Sequence, residues 1–310
     1  MASANTTAVL GLPSQYEIEK QYHHTGWAQV YRALDRSTGQ RVVIKALDPS
    51  RGDCWYVDRL RLEISWTIRV GKGVMPKVVA SVDNHLCVAL ITEYLGAQNV
   101  KEWIDGRPCD MRVGLAMARE MARCLESIHR HVVHRDVKPS NFVINCFGRP
   151  VLIDLGLVHS LRDGRQLTLH GQILGTADYF SPEQALGHDI DIRTDVYAFG
   201  VTLFEMFTGG KLFPGEVNMV RLGMRHIEES PRNLRAVRPE APQALDDLIA
   251  WCLQKQRENR PPSMRAVLEA VVAVDTALER PGLAETSLQQ LMSYSWWGRV
   301  RLAVSSRLAS

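Results

Sequence analysis

The stretch His134-Arg135-Asp136-Val137-Lys138-Pro139-Ser140-Asn141-Phe142-Val143-Ile144-Asn145-Cys146-Phe147-Gly148-Arg149-Pro150-Val151-Leu152-Ile153-Asp154 sets carboxylates, a lysine and an amide around two short apolar runs. The runs flank a turn that contains Gly148 and Pro150, which predicts a hairpin. Its open end brings Asn141 and Asp154 together, with Asp136 just upstream. An amide oxygen beside carboxylates is a hard oxygen site suited to Mg²⁺, whose usual company is phosphate.

Upstream, Gln29-Val30-Tyr31-Arg32-Ala33-Leu34 alternates, Ser37-Thr38-Gly39 turns, and Val42-Val43-Ile44 resumes, so a hairpin is expected. Residues from about Asp58 to Arg69 read as a helix, and Leu86 to Tyr94 returns to an apolar strand. The first part is therefore a small α+β lobe, an antiparallel sheet with one helix. Downstream, Val113, Met117, Met121, Cys124, Leu125 and Ile128 recur at three- and four-residue steps and mark an amphipathic helix. Asp195 to Phe207 is apolar around most of its circumference, which predicts a buried helix stopped at Gly209-Gly210. Leu245 to Cys252 and Met264 to Leu278 are expected to pack around it.

Bulk composition narrows the classes. A chain of 310 residues with 45% apolar content can bury a sizeable core. With 37 basic and 34 acidic side chains the net charge is +3, too weak a field to suggest nucleic acid as a partner. The six cysteines, Cys54, Cys87, Cys109, Cys124, Cys146 and Cys252, form no Cys-x-x-Cys pair, which argues against a zinc or redox site. Met1 to Leu12 lacks a leader pattern, and no run approaches the roughly 18 apolar residues of a membrane span, so a cytoplasmic location is expected.

The ordered set of Lys45 in Val43-Ile44-Lys45, Glu63, His134-Arg135-Asp136, Asn141, Asp154-Leu155-Gly156, Ser181-Pro182-Glu183, Asp195 and Arg260 resembles the eukaryotic-type (Hanks-type) serine/threonine protein kinases. Gly175 to Gln184 looks most like bacterial members, and the likeness spans about residues 16 to 275. It implies a bilobal α+β fold: an N-terminal extension over 1–15, a small antiparallel lobe with one helix over 16–95, a larger mainly helical lobe over 96–280, and a tail over 281–310. It also implies ATP with Mg²⁺, Mn²⁺ able to stand in, and protein serine or threonine hydroxyls as acceptors.

Carried over residue by residue, the resemblance implies that Lys45 holds the α- and β-phosphates and is positioned by Glu63. Asp136 would be the catalytic base, Lys138 would neutralise charge near the transferring phosphate, and Asn141 and Asp154 would ligate the metal. The Glu93 carbonyl and Leu95 amide would meet adenine. Glu183 would pair with Arg260, and Asp195 would tie down the catalytic loop; both are structural roles. Lys138 and Thr176 are the serine/threonine arrangement. Arg135 suggests control by a phosphorylated loop residue, with Thr168 the first candidate, Thr176 the second, and a second copy acting in trans as the donor enzyme.

The sequence departs from the family pattern in the loop that covers the phosphates. Registered on Val30, the three glycine positions fall at His23, Thr25 and Ala28, with Gly26 beside the second. A pseudokinase scaffold is the alternative that this departure raises; an active enzyme is favoured because Lys45, Asp136 and Asp154 are all kept. A small-molecule kinase ranks lower, since Thr176 and Ser181-Pro182-Glu183 belong to a peptide-docking segment. In the tail, Tyr294, Trp296, Trp297, Arg299, Arg301 and Arg307 admit a membrane-surface contact, but packing on the chain's own lobes is the favoured reading.

Overall fold

The computed structural model describes residues 11–22, 28–48, 54–71, 73–96, 98–157, 159–160 and 176–279. The small lobe holds strands β1 (Tyr16–Gln21), β2 (Gln29–Asp35), β3 (Gln40–Leu47), β4 (Val78–Asp83) and β5 (Val88–Glu93), with helix α1 (Cys54–Val70) between β3 and β4. These strands form one antiparallel sheet in the order β1-β2-β3-β5-β4. The β2–β3 hairpin turns where expected, because Asp35 Oδ1 accepts both the Ser37 amide at 2.9 Å and its hydroxyl at 2.6 Å. Gly39 closes the turn at φ 70°, a conformation that suits glycine.

Strand alternation divides the apolar residues between the two faces of this sheet. Tyr31, Ala33, Val42, Ile44, Ala89 and Ile91 gather on one face with Leu12 and Tyr16, while Leu47, Val88 and Leu90 on the other pack against Val57, Leu60 and Ile64 of α1. The helix begins at Cys54, earlier than the periodicity suggests; its first turn, Cys54-Trp55-Tyr56, is built of weak helix formers held by the rest of the fold.

The larger lobe comprises α2 (Val100–Ile104), α3 (Met111–Ile128), α4 (Pro182–Leu186), α5 (Ile192–Thr208), α6 (Met219–Glu228), α7 (Leu234–Val237), α8 (Gln243–Cys252) and α9 (Met264–Leu278). Short strands β6 (Val132–Val133), β7 (Phe142–Ile144), β8 (Pro150–Leu152) and β9 (His159–Ser160) line its upper edge as the pairs β6–β9 and β7–β8. Asp110 caps α3 by accepting the Arg112 and Val113 amides. The expected stripe of α3 is buried except for Val113, which sits at its edge in the first turn and is exposed.

Helix α5 is buried from Thr194 to Phe207, and Gly209 at φ 74° ends it, as its all-round apolarity and the glycine pair predict. A Cβ on Gly200 would stand 2.7 Å from Cys252 Cβ, so this glycine lets α8 lie directly on α5. Helix α9 runs antiparallel to α3, with Arg265 by Glu126 and Arg119 by Asp275. No disulfide links the six cysteines. No helix among the described residues is long and apolar enough to cross a membrane.

Candidate active site

Strand alternation places Lys45 on the face of β3 that also carries Leu47, the face that packs against α1. On α1, Glu63 lies in the buried stripe with Val57, Leu60, Ile64 and Thr67. Lys45 Nζ stands 2.7 Å from Glu63 Oε2 and 3.0 Å from Asp154 Oδ1, which joins the two lobes. Asp154 follows β8 at φ 68°, in the left-handed region, and its Oδ1 also accepts the Gly156 amide at 2.8 Å. Arg59, one turn before Glu63, donates Nε to the Gly156 carbonyl at 2.8 Å and lies over the Trp55 ring.

Burial works against the charge of Lys45, but Asp154 and Glu63 outweigh it and hold the ammonium well above its ordinary range. Burial likewise opposes the Asp154 carboxylate and is overcome by Lys45 and the Gly156 amide, which hold it below the usual range. In Glu63 burial wins, against the pull of Lys45, and the carboxyl is raised. Lys45 and Asp154 therefore keep their charges, and Glu63 is the member of the cluster that burial drives towards a proton.

Asp195, fully buried in the first turn of α5, organises the chain ahead of Asp136. Its Oδ2 accepts the His134 amide at 2.6 Å and meets His129 Nε2 at 2.8 Å, while Oδ1 accepts the Arg135 amide at 2.8 Å. Burial opposes this charge too, but the hydrogen bonds keep the Asp195 carboxyl below its usual range. Arg135 stands at φ 70°, and its Nε has no hydrogen-bond partner among the described residues.

The Asp136 carboxylate meets Lys138 Nζ at 2.6 Å from Oδ2 and the Thr176 amide at 3.2 Å from Oδ1. Lys138 Nζ also donates to Thr176 Oγ1 at 2.6 Å. Asn141 closes the 3₁₀ turn Pro139–Asn141 and directs its NH₂ to the Asp136 carbonyl at 2.8 Å and Oδ2 at 3.1 Å. The predicted hairpin is present as β7–β8, and the Ile153 amide donates to the Asn141 carbonyl at 2.8 Å, so Asn141 and Asp154 share its open end.

The donor set suits a hard divalent cation. Asn141 Oδ1 and the Asp154 carboxylate offer oxygen donors, and no cluster of three or more His, Cys, Asp or Glu among the described residues offers a closed cage. A divalent cation held by so few protein oxygens would need water or substrate oxygens to complete its shell.

Supports for this centre come from the following segment. Ser181 caps α4 in a capping box with Gln184, whose Nε2 also donates to the Arg135 carbonyl at 2.9 Å. Glu183 takes Arg260 through two bonds of 2.7 and 2.8 Å and Thr194 Oγ1 at 2.8 Å. Tyr179 hydrogen-bonds Glu205 of α5, and Lys101 of α2 pairs with the same carboxylate. Sequence reasoning missed Arg59, Lys101, Tyr179, Gln184 and Glu205. Only Glu205 left a signal, as a carboxylate inside a helix apolar all round.

The remaining expected residues are spread along the lobe junction. Glu93 ends β5, opposite Val42, three residues along the strand from Leu90, the partner of Lys45; at strand rise that is about 10 Å. The Glu93 side chain turns to the Lys77 amide at 2.7 Å, and Leu95 follows in the link to α2. Val30 pairs with Lys45 across β2–β3, and Ala28 is buried just before β2. His23, Thr25, Gly26, Thr168 and the tail after residue 280 lie outside the described residues.

Comparison with known proteins gives a consistent result. The protein kinase domain family matches residues 17–272. The serine/threonine-protein kinase PknA of Mycobacterium tuberculosis is 31% identical over 287 residues, covering 89% of this chain and 64% of that protein. A probable serine/threonine-protein kinase of Streptomyces coelicolor is 30% identical over 300 residues, 93% of this chain and 43% of its own length. The probable serine/threonine-protein kinase PknB of Lactococcus lactis is 28% identical over 275 residues, 86% of this chain and 43% of its length. The chain thus spans less than two thirds of these relatives.

Proposed function

The chain belongs to the protein kinase domain family, and we propose that it is a serine/threonine protein kinase that moves the γ-phosphate of ATP to protein hydroxyls. The observation that carries this reading is Asp136, held between Lys138 and Thr176 with its side chain largely covered but still 12% exposed. The names of the relatives, all serine/threonine kinases, point the same way.

In this reading Asp136 orients the acceptor hydroxyl and takes its proton, and Lys138 offsets negative charge as the bond from the acceptor oxygen to the γ-phosphorus forms and the bond from that phosphorus to the β–γ bridging oxygen breaks, releasing ADP. Lys45, fixed by Glu63 and Asp154, binds the donor phosphates as a preset cation. Asn141 and Asp154 would hold Mg²⁺, with Mn²⁺ as substitute; when bound, the cation supplies charge neutralisation between phosphate oxygens. Ala28 and Val30 would cover the nucleotide together with His23, Thr25 and Gly26, and Glu93 and Leu95 would receive adenine. Arg135, with an unpartnered Nε, and Thr168 or Thr176 would form the control site, phosphorylated in trans by a second copy.

The test is phosphate incorporation from labelled ATP into a serine protein substrate. D136N is expected to lower it by at least about a hundredfold, the low end for a general base, and K45A to abolish it. Wild-type protein that incorporates nothing with either Mg²⁺ or Mn²⁺ would leave the scaffold reading in place.

A further inference from the structure

Glu205 is an unusual residue to find in α5. It lies deep in the lobe's central helix, its side chain 2% exposed, and Tyr179 and Lys101 donate to its carboxylate. A carboxylate so covered is costly without a cation. The cation supplied is a surface one: the Lys101 side chain is 46% exposed and reaches across from α2, a helix fixed by the Asn99–Glu102 capping box and by buried Val100 and Ile104.

The place of this pair relative to the reacting groups gives it significance. Thr176 touches Asp136 through its amide and Lys138 through its hydroxyl, and the 3₁₀ turn Ala177–Tyr179 follows at once, bringing Tyr179 onto Glu205. One such turn advances about 6 Å, the span of about two residues of extended peptide. A peptide whose hydroxyl meets Asp136 and whose backbone follows this turn would carry a side chain two or three residues away to the mouth of Glu205, where Lys101 already stands.

We propose that Lys101 fills, from within the chain, the acidic subsite that a basic side chain of the substrate would otherwise occupy, so that substrates are chosen without a cation at that position. The proposal rests on the kinase reading and names a substrate class for it: hydroxyl peptides neutral at this position. A lysine that merely staples α2 to α5 would affect stability and leave peptide choice unchanged.

The experiment is a binding scan by fluorescence anisotropy with labelled serine peptides. Arginine or norleucine is placed in turn at each flanking position, and wild type, K101M and K101R are compared. K101Q is a second uncharged variant should K101M fail to fold. K101M and K101Q are expected to raise the arginine-to-norleucine affinity ratio about tenfold over wild type at one position, as one new charge-assisted hydrogen bond requires. K101R should match wild type. Superimposable scans for wild type and K101M, the same gain in K101R, or peptides that bind no form of the protein would each overturn the proposal. Phosphate transfer to the norleucine peptide by wild type is measured in parallel. Its absence would sink the kinase reading while the binding scan still decides the role of Lys101.

Discussion

Replacing Asp195 with asparagine tests how the catalytic loop is held. The carboxylate accepts two backbone amides, from His134 at 2.6 Å and Arg135 at 2.8 Å, and meets His129 at 2.8 Å, all at a fully buried site. Asparagine offers one oxygen. If that oxygen stays on His134 and His129, the new NH₂ faces the Arg135 N–H, donor against donor, and the charge that strengthened the other bonds is gone. One orphaned buried donor costs about 1–3 kcal/mol, and weakened charge-assisted bonds cost a similar amount. A loss of about 2–6 kcal/mol is therefore expected, a large part of the stability of a typical domain. The loop has one route of relief: Arg135 at φ 70° stores about 1–3 kcal/mol of strain, released if its backbone leaves the left-handed region. That movement would carry Asp136 away from Thr176, so a smaller stability loss must be matched by a larger loss in kcat. Urea denaturation with linear extrapolation and peptide kinetics, run on the same preparations, read both quantities. D195N within about 1 kcal/mol of wild type, the low end of one orphaned donor, and with kcat/KM unchanged would refute the assignment of Asp195 as the anchor of this loop.

Two further substitutions probe supports outside the loop. Arg260 uses all five of its donors, two on Glu183 and one each on the carbonyls of Arg193, Gln254 and Lys255. R260M strands a buried carboxylate and is expected to cost about 3–5 kcal/mol in urea denaturation, with a loss below about 1 kcal/mol counting against the pairing. His226 is buried between the Tyr197 hydroxyl and the Asp178 carbonyl, and burial, with Lys255 adding to it, depresses it to about 3. The unfolded chain takes up a proton near pH 6.5 that the folded one refuses, so wild type should lose up to about 1.4 kcal/mol per pH unit relative to H226Q as pH falls from 6.5 towards 3. Parallel stability curves for the two proteins across that range would remove His226 as the cause.

Legibility in the sequence followed how local each signal was. The β7–β8 hairpin could be read because two apolar runs and a Gly-Pro turn lie within one short stretch, and its pairing alone carries Asp154 to Asn141. Helix α5 announced itself by having no polar face. Helix α6 did not, because at only ten residues it offers too short a run for periodicity to stand out. Pairs formed across the fold were legible only through family order, as for Glu183 with Arg260, or not at all, as for Lys101 with Glu205. Nothing in the residue type announced left-handed backbone at Arg135, and at Asp154 the only signal was that aspartate tolerates that region better than most residues.

Those two backbone positions explain why the supports lie where they do. Arg135 and Asp154 adjoin the reacting groups, and each sits in a conformation that costs about 1–3 kcal/mol unless its surroundings over-determine it. For Arg135 the surroundings are Asp195 below, through the amide, and Gln184 beside it, through the carbonyl. For Asp154 they are Lys45, the Gly156 amide, and Arg59 acting through the Gly156 carbonyl. Arg59 and Glu63 stand one turn apart on α1, so one rigid helix supplies both the partner of Lys45 and the grip on the loop of Asp154. A swing of α1 would break the Lys45–Glu63 pair and the Arg59–Gly156 bond together, so Lys45 would lose one of its two carboxylate partners and the loop of Asp154 its Arg59 restraint in one movement. The lysine and the proposed metal ligand are thus coupled through the position of a single helix, while Asp136 is held separately by α5.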